Sequence, residues 1–471
     1  MRVLLTVHQF FPDHNTGTEV LTLQVASELS ARGHEVRIIT GYPLKSAPAE
    51  GRRFDRYCYQ GLHVDRYFHH EGAPVGGQPN IAELEYDNHL VENWLRGLLS
   101  EWPPDVVHFF HLKNLSVSAI DVYREHGLPM VLTPTDFWLV CPTTQLLLPD
   151  GSLCRGPDRR GVNCLRHAIE NTQTAYLRRV FALMPDSLLA GAIRACSTVV
   201  TGDVAPFSWV RALSQRGDFI RQRVSLLDQM FVPTRFMGHL FEANGLTAKQ
   251  VTHSRFGINL DGFRRGAVRR GTEPRLRIGF IGSLARWKGA HVLVDAVRRL
   301  PGTIDVDVQI FGDPGVYPDY AKGLVDRAAA DTRIRFCGTF PNNRIGEVLS
   351  TFDVLVVPSL WYENTPLVIY SSQAAGCPVL ASDLGGMSEV IREGVDGLLF
   401  PPGDSAALAT HLERLWHDRN LVAALADNAL SPKSISAYVD ELAATYEQLA
   451  DHGKMSGLDF KALSTVAKLV D

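Results

Sequence analysis

Three short stretches of this chain hold residue types that together can grip a phosphorylated ligand. The densest is Ser359-Leu360-Trp361-Tyr362-Glu363-Asn364-Thr365-Pro366-Leu367, between the apolar run Val354–Pro358 and a helical pattern over Pro366–Ala375. Proline suits a helix start, where the first N–H groups lack an intrahelical partner. Those free N–H groups and the positive end of the helix attract an anion. Glu363 beside this terminus either caps the helix or holds a ligand's hydroxyl groups. Its place at the carboxyl end of a strand, next to an anion site, favours the second.

The next stretch is Ser382-Asp383-Leu384-Gly385-Gly386-Met387-Ser388-Glu389. Paired glycines after a strand let backbone approach a ligand closely. Their N–H groups can form a nest for phosphate. A lone Gly-Gly is usually only a turn, and it gains weight here from the anion site one βα unit away. The third stretch is Gly282-Ser283-Leu284-Ala285-Arg286-Trp287-Lys288-Gly289. Arg286 and Lys288 stand at a strand-to-helix junction, where a cation can neutralise a diphosphate; surface charge is the alternative for both. Neither the Gly-x-Gly-x-x-Gly fingerprint nor a Gly-x-x-x-x-Gly-Lys-Ser/Thr loop follows a first strand. Dinucleotide oxidoreductase and P-loop NTPase readings thus lose their main support.

A different chemistry is suggested by Cys141, Cys154, Cys164 and His167, the last pair with C-x2-H spacing. Three thiolates and an imidazole complete a tetrahedral zinc site. Pro142, Pro149, Gly151, Gly156 and Pro157 mark the kind of loop that a metal staples. Four protein ligands leave no open position, so such a zinc would be structural. Buried free thiols are the alternative, and the remaining Cys58, Cys196, Cys337 and Cys377 read as core thiols. Seven cysteines, an odd number and widely scattered, do not look like a secreted disulfide framework.

Alternating strand and helix patterns must position these residues. Arg2–Val7 reads as a strand, His8 to Gly17 as a loop, Thr18–Arg32 as a helix ended by Gly33, and Val36–Thr40 as the next strand. Ile81–Leu99 reads as one amphipathic helix, and Val106–Phe110 as a strand. The stretch 136–230 has helical spacing and few strand signals, and reads as an insertion. Near Arg275 the alternation restarts and runs through strands at Leu276–Ile281, Val306–Phe311, Ile334–Cys337, Val354–Pro358 and Val379–Ala381. Helices close the chain. The expectation is an α/β protein of two doubly wound, Rossmann-like domains: residues 1–255 carrying the insertion, and 256–430. Residues 431–471 form the final helices, expected to cross back to the first domain. Ligands sit beyond the carboxyl ends of such strands, in a central cleft if two domains face each other.

Composition narrows the class. The 471 residues suit two or three domains of about 100–200 residues each. With 45% apolar and 21% charged residues the chain is not disordered. A net charge of −4, from 47 basic and 51 acidic residues, lacks the basic excess of a nucleic-acid binder. The amino terminus turns polar too soon for a signal peptide. No apolar run approaches the about 18 residues that span a bilayer. A cytoplasmic protein is expected.

On these motifs the sequence resembles the GT-B glycosyltransferases of the large retaining family 4. The resemblance spans roughly residues 1–450 and rests on four stretches. The first is Phe10-Phe11-Pro12 with the Gly17 loop and Ala31-Arg32-Gly33-His34-Glu35-Val36. The second is Phe231-Val232-Pro233-Thr234-Arg235-Phe236. Gly282 to Gly289 and Pro358 through Pro401 are the others. It implies transfer of a sugar, with retention, from a nucleotide diphosphate donor to an acceptor, without an essential metal or other cofactor. Glu363 and Lys288 match the catalytic pair, Glu363 on the donor sugar's hydroxyls and Lys288 on the diphosphate. The resemblance puts Gly282, Ser283, Arg286, Asn364, Thr365, Pro366, Leu367, Ser371, Gly385 and Gly386 around the donor. Gly17, His111 and Asp136 fall on the acceptor side, where a buried structural role for His111 is the alternative.

Three departures from the family pattern bear on activity. Ser371 stands where relatives have a ribose-binding Glu, and it can hydrogen-bond a hydroxyl only without charge assistance. Ser283 replaces an Arg, for which Arg286 can compensate. Thr135 replaces the His of a His-Asp pair. The resemblance implies a glycan or lipid-linked acceptor in bacterial cell-surface polysaccharide assembly. Basic clusters at Arg52, Arg53 and Arg56, at Arg155, Arg159, Arg160 and Arg166, and along Tyr176–Met184 offer peripheral contact with an anionic membrane. A solvated basic face is the alternative. A catalytically weak relative that binds nucleotide sugar or glycan as a scaffold is the competing function.

Overall fold

The computed structural model describes residues 1–44, 53–70, 81–158, 161–170, 184–199, 207–263 and 274–467. The chain divides into two compact units. One comprises Met1–Pro233, Gly238–Arg255 and Ser436–Asp471; the other comprises Thr234–Met237 and Phe256–Ile435.

The first unit is built on eight strands: β1 (Arg2–Val7), β2 (Glu35–Leu44), β3 (Phe54–Tyr59), β4 (Leu62–His70), β5 (Val106–Phe109), β6 (Met130–Leu132), β7 (Gln229–Val232) and β8 (Gln250–His253). Their order is β3-β4-β2-β1-β5-β6-β7-β8. All neighbours run parallel except the antiparallel pair β3 and β4. Central β1 buries Val3, Leu4, Leu5 and Val7 on both faces, as expected of a parallel strand covered on each side.

Two local readings need correction. Ile81–Leu99 is not one helix but two, Ile81–Leu84 and His89–Glu101. Buried Asn88 separates them, its side chain accepting from the Val91 N–H (3.2 Å) and its own N–H donating to Ser118 Oγ (3.0 Å). An asparagine that caps the second segment competes with helix continuation. The β3–β4 hairpin also escaped the sequence pattern. Its two-residue turn is Gln60-Gly61, both with positive φ (49° and 81°). That geometry matches the twist of a tight hairpin, but glutamine is a weak signal for it.

The final helix, Ile435–Ala467, belongs to the first unit. It buries Tyr438, Val439, Leu442, Tyr446 and Ala450 at helical spacing. Tyr446 Oη meets His108 Nδ1, and Thr133 Oγ1 sits 2.9 Å from His108 Nε2. Ser254 Oγ donates to Glu441 (2.6 Å), and Arg32 pairs with Asp440 (2.9 Å).

The second unit has six parallel strands: β9 (Leu276–Ile281), β10 (Val306–Phe311), β11 (Ile334–Gly338), β12 (Val354–Val357), β13 (Val379–Ser382) and β14 (Gly397–Phe400). Their order is β11-β10-β9-β12-β13-β14. Val354, Leu355, Val356 and Val357 are all buried, and Leu276, Ile278, Phe280, Val308 and Ile310 join one core cluster with the helices Ala290–Arg299 and Ser405–His417. Among the described residues no helix is long and apolar enough to cross a membrane.

Candidate functional site

In the second unit the strand order reverses at β9 and β12. The chain moves outward from β9 to β10 and β11, then returns to the other side of β9. Loops leaving the carboxyl ends of such a pair diverge and leave a crevice. Lys288 comes from the loop after β9, and Glu363 from the loop after β12. Gly289 allows the two loops to meet. Its φ is +73°, and a Cβ there would lie 1.8 Å from the Pro358 carbonyl oxygen, so only glycine fits.

Lys288 Nζ lies 2.7 Å from Glu363 Oε1. Ser359 Oγ and Trp361 Nε1 each donate to the same oxygen at 2.8 Å. The ammonium group also stands 5.2 Å from the Trp361 ring centroid, within cation–π range. Glu363 is only 6% exposed, and a buried carboxylate persists when paired and hydrogen-bonded. Oε1 thus takes three side-chain donors, not the N–H groups of the following helix.

That helix runs Leu367–Ala374 with Pro366 at its N-cap and no side-chain capping bond, so its first N–H groups have no side-chain acceptor. Asn364 and Thr365 are buried beside it. Thr234 Oγ1 donates to Asn364 Oδ1 (3.4 Å), and Thr365 Oγ1 to the Asn364 carbonyl (2.8 Å). Phe236 packs on Tyr362 with ring centroids 4.7 Å apart. Ser371, one turn into the helix, donates its hydroxyl to the Leu367 carbonyl (3.1 Å).

Gly385 and Gly386 form a tight turn docked on the Glu363 loop. The Gly386 N–H donates to the Glu363 carbonyl (3.1 Å), and a Cβ on Gly386 would lie 1.5 Å from the Asn364 oxygen. The expected two-glycine nest is therefore only partly open, because one N–H is already used. Gly282 is tied by its N–H to the Phe311 carbonyl (3.1 Å). Ser283 and Arg286 are exposed on the β9 loop, and the charge of Arg286 acts on His291 and Tyr320. Beyond β9, β10 and β11 a cavity of about 540 Å³ is lined by Leu284, Gly312, Pro314, Pro318, Phe336 and Gly338. That volume suits a drug-sized ligand. The sequence reading missed it, although Gly312-Asp313-Pro314-Gly315 after β10 is a loop signal.

The first unit has a corresponding reversal at β1 and β5, and polar groups gather at those carboxyl ends too. His111 Nε2 lies 3.0 Å from Asp136 Oδ2, while the Lys113 N–H donates to His111 Nδ1 (3.0 Å). Burial alone would raise the Asp136 pKa. The His111 charge and hydrogen bond, the Trp138 N–H and His8 outweigh it and hold the group at about 2. The rings of His8 and His111 stand 4.3 Å apart. Burial, reinforced by the charge of His111, pushes the His8 pKa well below its ordinary value. His8 Nε2 faces fully buried Glu19 at 3.4 Å, and Thr16 Oγ1 donates to Glu19 (2.6 Å). Neither His8 nor Glu19 was singled out from the sequence. Gly17 opens the helix Gly17–Ala31 with no atom within 4 Å of a Cβ placed there. Thr135 accepts from Thr18 Oγ1 (2.9 Å) and reaches the Phe110 carbonyl (3.3 Å).

Cys141, Cys154, Cys164 and His167 line one small cavity of about 40 Å³. Burial raises the thiol pKa values of Cys154 and Cys164, Cys164 to about 12, with Cys141 adding to both. Of the basic patches, Arg56 is neutralised by Asp65 (2.6 Å) and Glu101 (2.5 Å), and Arg166 by Asp186 (2.6 Å). Arg53 and Arg155 lie within the described residues, whereas Arg52, Arg159 and Arg160, and Tyr176–Met184 apart from Met184, lie outside them.

Comparison with known proteins accounts for this arrangement. The family described as "Glycosyl transferases group 1" matches residues 275–418, and the "Glycosyl transferase 4-like domain" matches 16–189. A phosphatidyl-myo-inositol mannosyltransferase of Mycobacterium leprae is 32% identical over 224 residues, 45% of this chain and 56% of that protein. An amylovoran biosynthesis glycosyltransferase of Erwinia amylovora is 29% identical over 206 residues, 41% of this chain and 49% of that protein. The chain thus spans about half the length of these curated relatives. Among solved structures, sucrose-phosphate synthase from Thermosynechococcus elongatus superposes with a TM-score of 0.63 at 17% identity, covering 95% of this chain and 98% of that one. Anabaena HepE in complex with UDP gives 0.61 at 17% identity, covering 95% and 100%. At such identity the structures establish the GT-B fold, and the family matches add membership. Two α/β units, the first matching the glycosyl transferase 4-like domain and the second the group 1 glycosyl transferases, mean that this chain belongs to the group 1 GT-B glycosyltransferases.

Proposed function

We propose that the protein transfers a sugar, with retention, from a nucleoside diphosphate sugar to a glycan or lipid-linked acceptor. The observation that carries this reading is the contact of Lys288 with Glu363 where the β9 and β12 loops meet, beside an uncapped helix terminus. Glu363 holds hydroxyls of the donor sugar. Lys288 and the N–H groups at Leu367 stabilise the diphosphate as it leaves, which is where preorganised donors act most strongly. The acceptor hydroxyl attacks the anomeric carbon on the face that the diphosphate leaves. The bond from that carbon to the phosphate oxygen breaks, the electron pair goes to the diphosphate, and the same phosphate oxygen takes the acceptor's proton. No protein nucleophile is needed. With Lys288 supplying the positive charge, transfer is expected to survive EDTA.

HepE, solved with UDP, supports a uridine nucleotide as the first donor to test. The Mycobacterium relative, named a phosphatidyl-myo-inositol mannosyltransferase, supports a lipid-linked acceptor, and the Erwinia relative, named for amylovoran biosynthesis, a polysaccharide one; the role we infer is bacterial cell-surface polysaccharide assembly. A scaffold that binds nucleotide sugar without turnover is the second reading, favoured by Ser371 bonding back to its own helix. A thermal-shift screen of nucleoside diphosphates and their sugars, followed by hydrolysis and transfer assays on each hit, separates the two. Stabilisation grows as RT ln(1 + [L]/Kd). Failure of every nucleotide to stabilise the protein would refute both readings; binding without turnover would leave only the scaffold.

A further inference from the structure

We infer that the loop between β6 and the helix Val162–Glu170 holds a structural zinc ion through Cys141, Cys154, Cys164 and His167. All four side chains line the same small cavity. Cys164 and His167 are three residues apart on one helix, a spacing that puts both on one face. Cys141 is reached from the carboxyl end of β6, and Cys154 from the turn that follows. The rest of the wall is mostly apolar, including Val140, Leu146, Leu147 and Leu213. Thiolate and imidazole donors in a four-ligand set suit zinc over harder cations.

Two further observations point to a metal. The first is the surroundings of Cys154. Its sulfur accepts from the Gly156 N–H (3.4 Å) and from Asn163 Nδ2 (3.7 Å); its own proton, which metal binding would displace, points at the Gly156 carbonyl (3.4 Å), where Asn163 is also anchored (2.9 Å). N–H donors aimed at a sulfur orient and stabilise a thiolate ligand. The second is Arg216, only 4% exposed. Its guanidinium is held by carbonyls, Trp138 at 2.5 Å and Leu139 at 3.5 Å, and stacks 4.9 Å from the Trp138 ring. Its Nε has no hydrogen-bond partner. The two carbonyls that hold the guanidinium immediately precede Val140 and Cys141, which line the cavity. A guanidinium does not lose its proton, and buried charge is normally compensated. Zinc with three thiolates and a neutral imidazole carries one net negative charge, the charge that Arg216 balances.

The donor atoms are more widely spaced than the 4.8 Å that encloses the ligand atoms of Asp87, His89 and Glu92. Binding displaces thiol protons and couples metal to folding. Four protein ligands leave no open coordination position, so the ion acts on stability and not on transfer.

The test is metal analysis of the full chain, purified under reducing conditions without chelator, with Cys58→Ser as a control outside the cavity. About one zinc per chain is expected in the wild type and the control, falling severalfold in Cys164→Ser and His167→Ala. Because those variants can misfold, the wild type is also stripped and titrated with cobalt. An intense thiolate-to-cobalt absorption band with tetrahedral d–d bands is expected. Zinc below about 0.2 per chain together with no such cobalt spectrum overturns the site, as does a native disulfide among the three cysteines. Neither result bears on the sugar-transfer reading, which nucleotide binding tests separately.

Discussion

Lys288 and Glu363 are separated by 75 residues of sequence and by 2.7 Å in space, across the two loops that diverge from β9 and β12. The carboxylate is buried with its charge matched by one ammonium group. In the proposed mechanism that ammonium is the cation offered to a diphosphate, so the pair would couple recognition of the donor sugar to recognition of the leaving group.

Replacing Lys288 by Ala removes the cation and leaves Glu363 with two neutral donors. Transfer is expected to fall by about 100-fold or more, and UDP-induced thermal stabilisation to shrink sharply. Lost stability should stay near 1–3 kcal/mol, the scale of one charged hydrogen bond. An unchanged UDP shift would exclude Lys288 from the diphosphate site.

Glu363→Gln should separate the two functions. The variant keeps an oxygen acceptor for Ser359 and Trp361 but loses the charge. Transfer is expected to drop by at least about 100-fold, while stabilisation by the nucleoside diphosphate persists. Loss of nucleotide binding in this variant would mean that Glu363 serves the diphosphate and not the sugar.

Two glycines make a matched pair. Gly386→Ala forces a Cβ to within 1.5 Å of the Asn364 oxygen and should cost about 1–3 kcal/mol or more of stability. Gly17→Ala meets no atom within 4 Å and should leave stability unchanged or raise it by up to about 1 kcal/mol. If Gly17 lines the acceptor side, activity should nevertheless fall. Urea denaturation beside transfer assays checks both.

Stability should also depend on pH through His108. Burial depresses its pKa from 6.5 to about 3, so the folded protein keeps the ring neutral where the unfolded chain binds a proton. Stability is then full above pH 6.5 and declines as pH falls below it, by about 1.4 kcal/mol per pH unit for this one group. His8 shifts in the same direction. Asp136 acts in the same direction, but only as pH falls from 3.8 towards 2. Urea midpoints for the wild type and His108→Gln between pH 5 and 8 should converge at low pH.

Much of the donor side was legible from sequence because its signals are local. Apolar runs announced β9, β10 and β12, and the residues after them had the right types at the right strand ends. The Glu363 stretch could be read as ligand-binding because a carboxylate, a proline and a helix start stood together. The β3–β4 hairpin was not legible, since Gln60-Gly61 is a weak turn signal. Nor was the break at Asn88, which depends on a bond from Ser118, thirty residues away.

Sequence alone determined the α/β alternation, the strands β1, β2, β5 and β9 to β13, and the chemical groups that leave the carboxyl ends of β9, β12 and β13, since periodicity and residue type act over a few neighbours. Tertiary structure decided which of those groups meet. The reversal of strand order put Lys288 on Glu363, and the absence of a side chain at Gly289 and Gly386 let separate loops touch. Tight packing then committed one glycine N–H to a carbonyl, stacked half-buried His8 beside His111, and gathered three cysteines and a histidine around one cavity with Arg216 nearby. Each of these depends on distances between residues far apart in the chain, which local propensity does not encode.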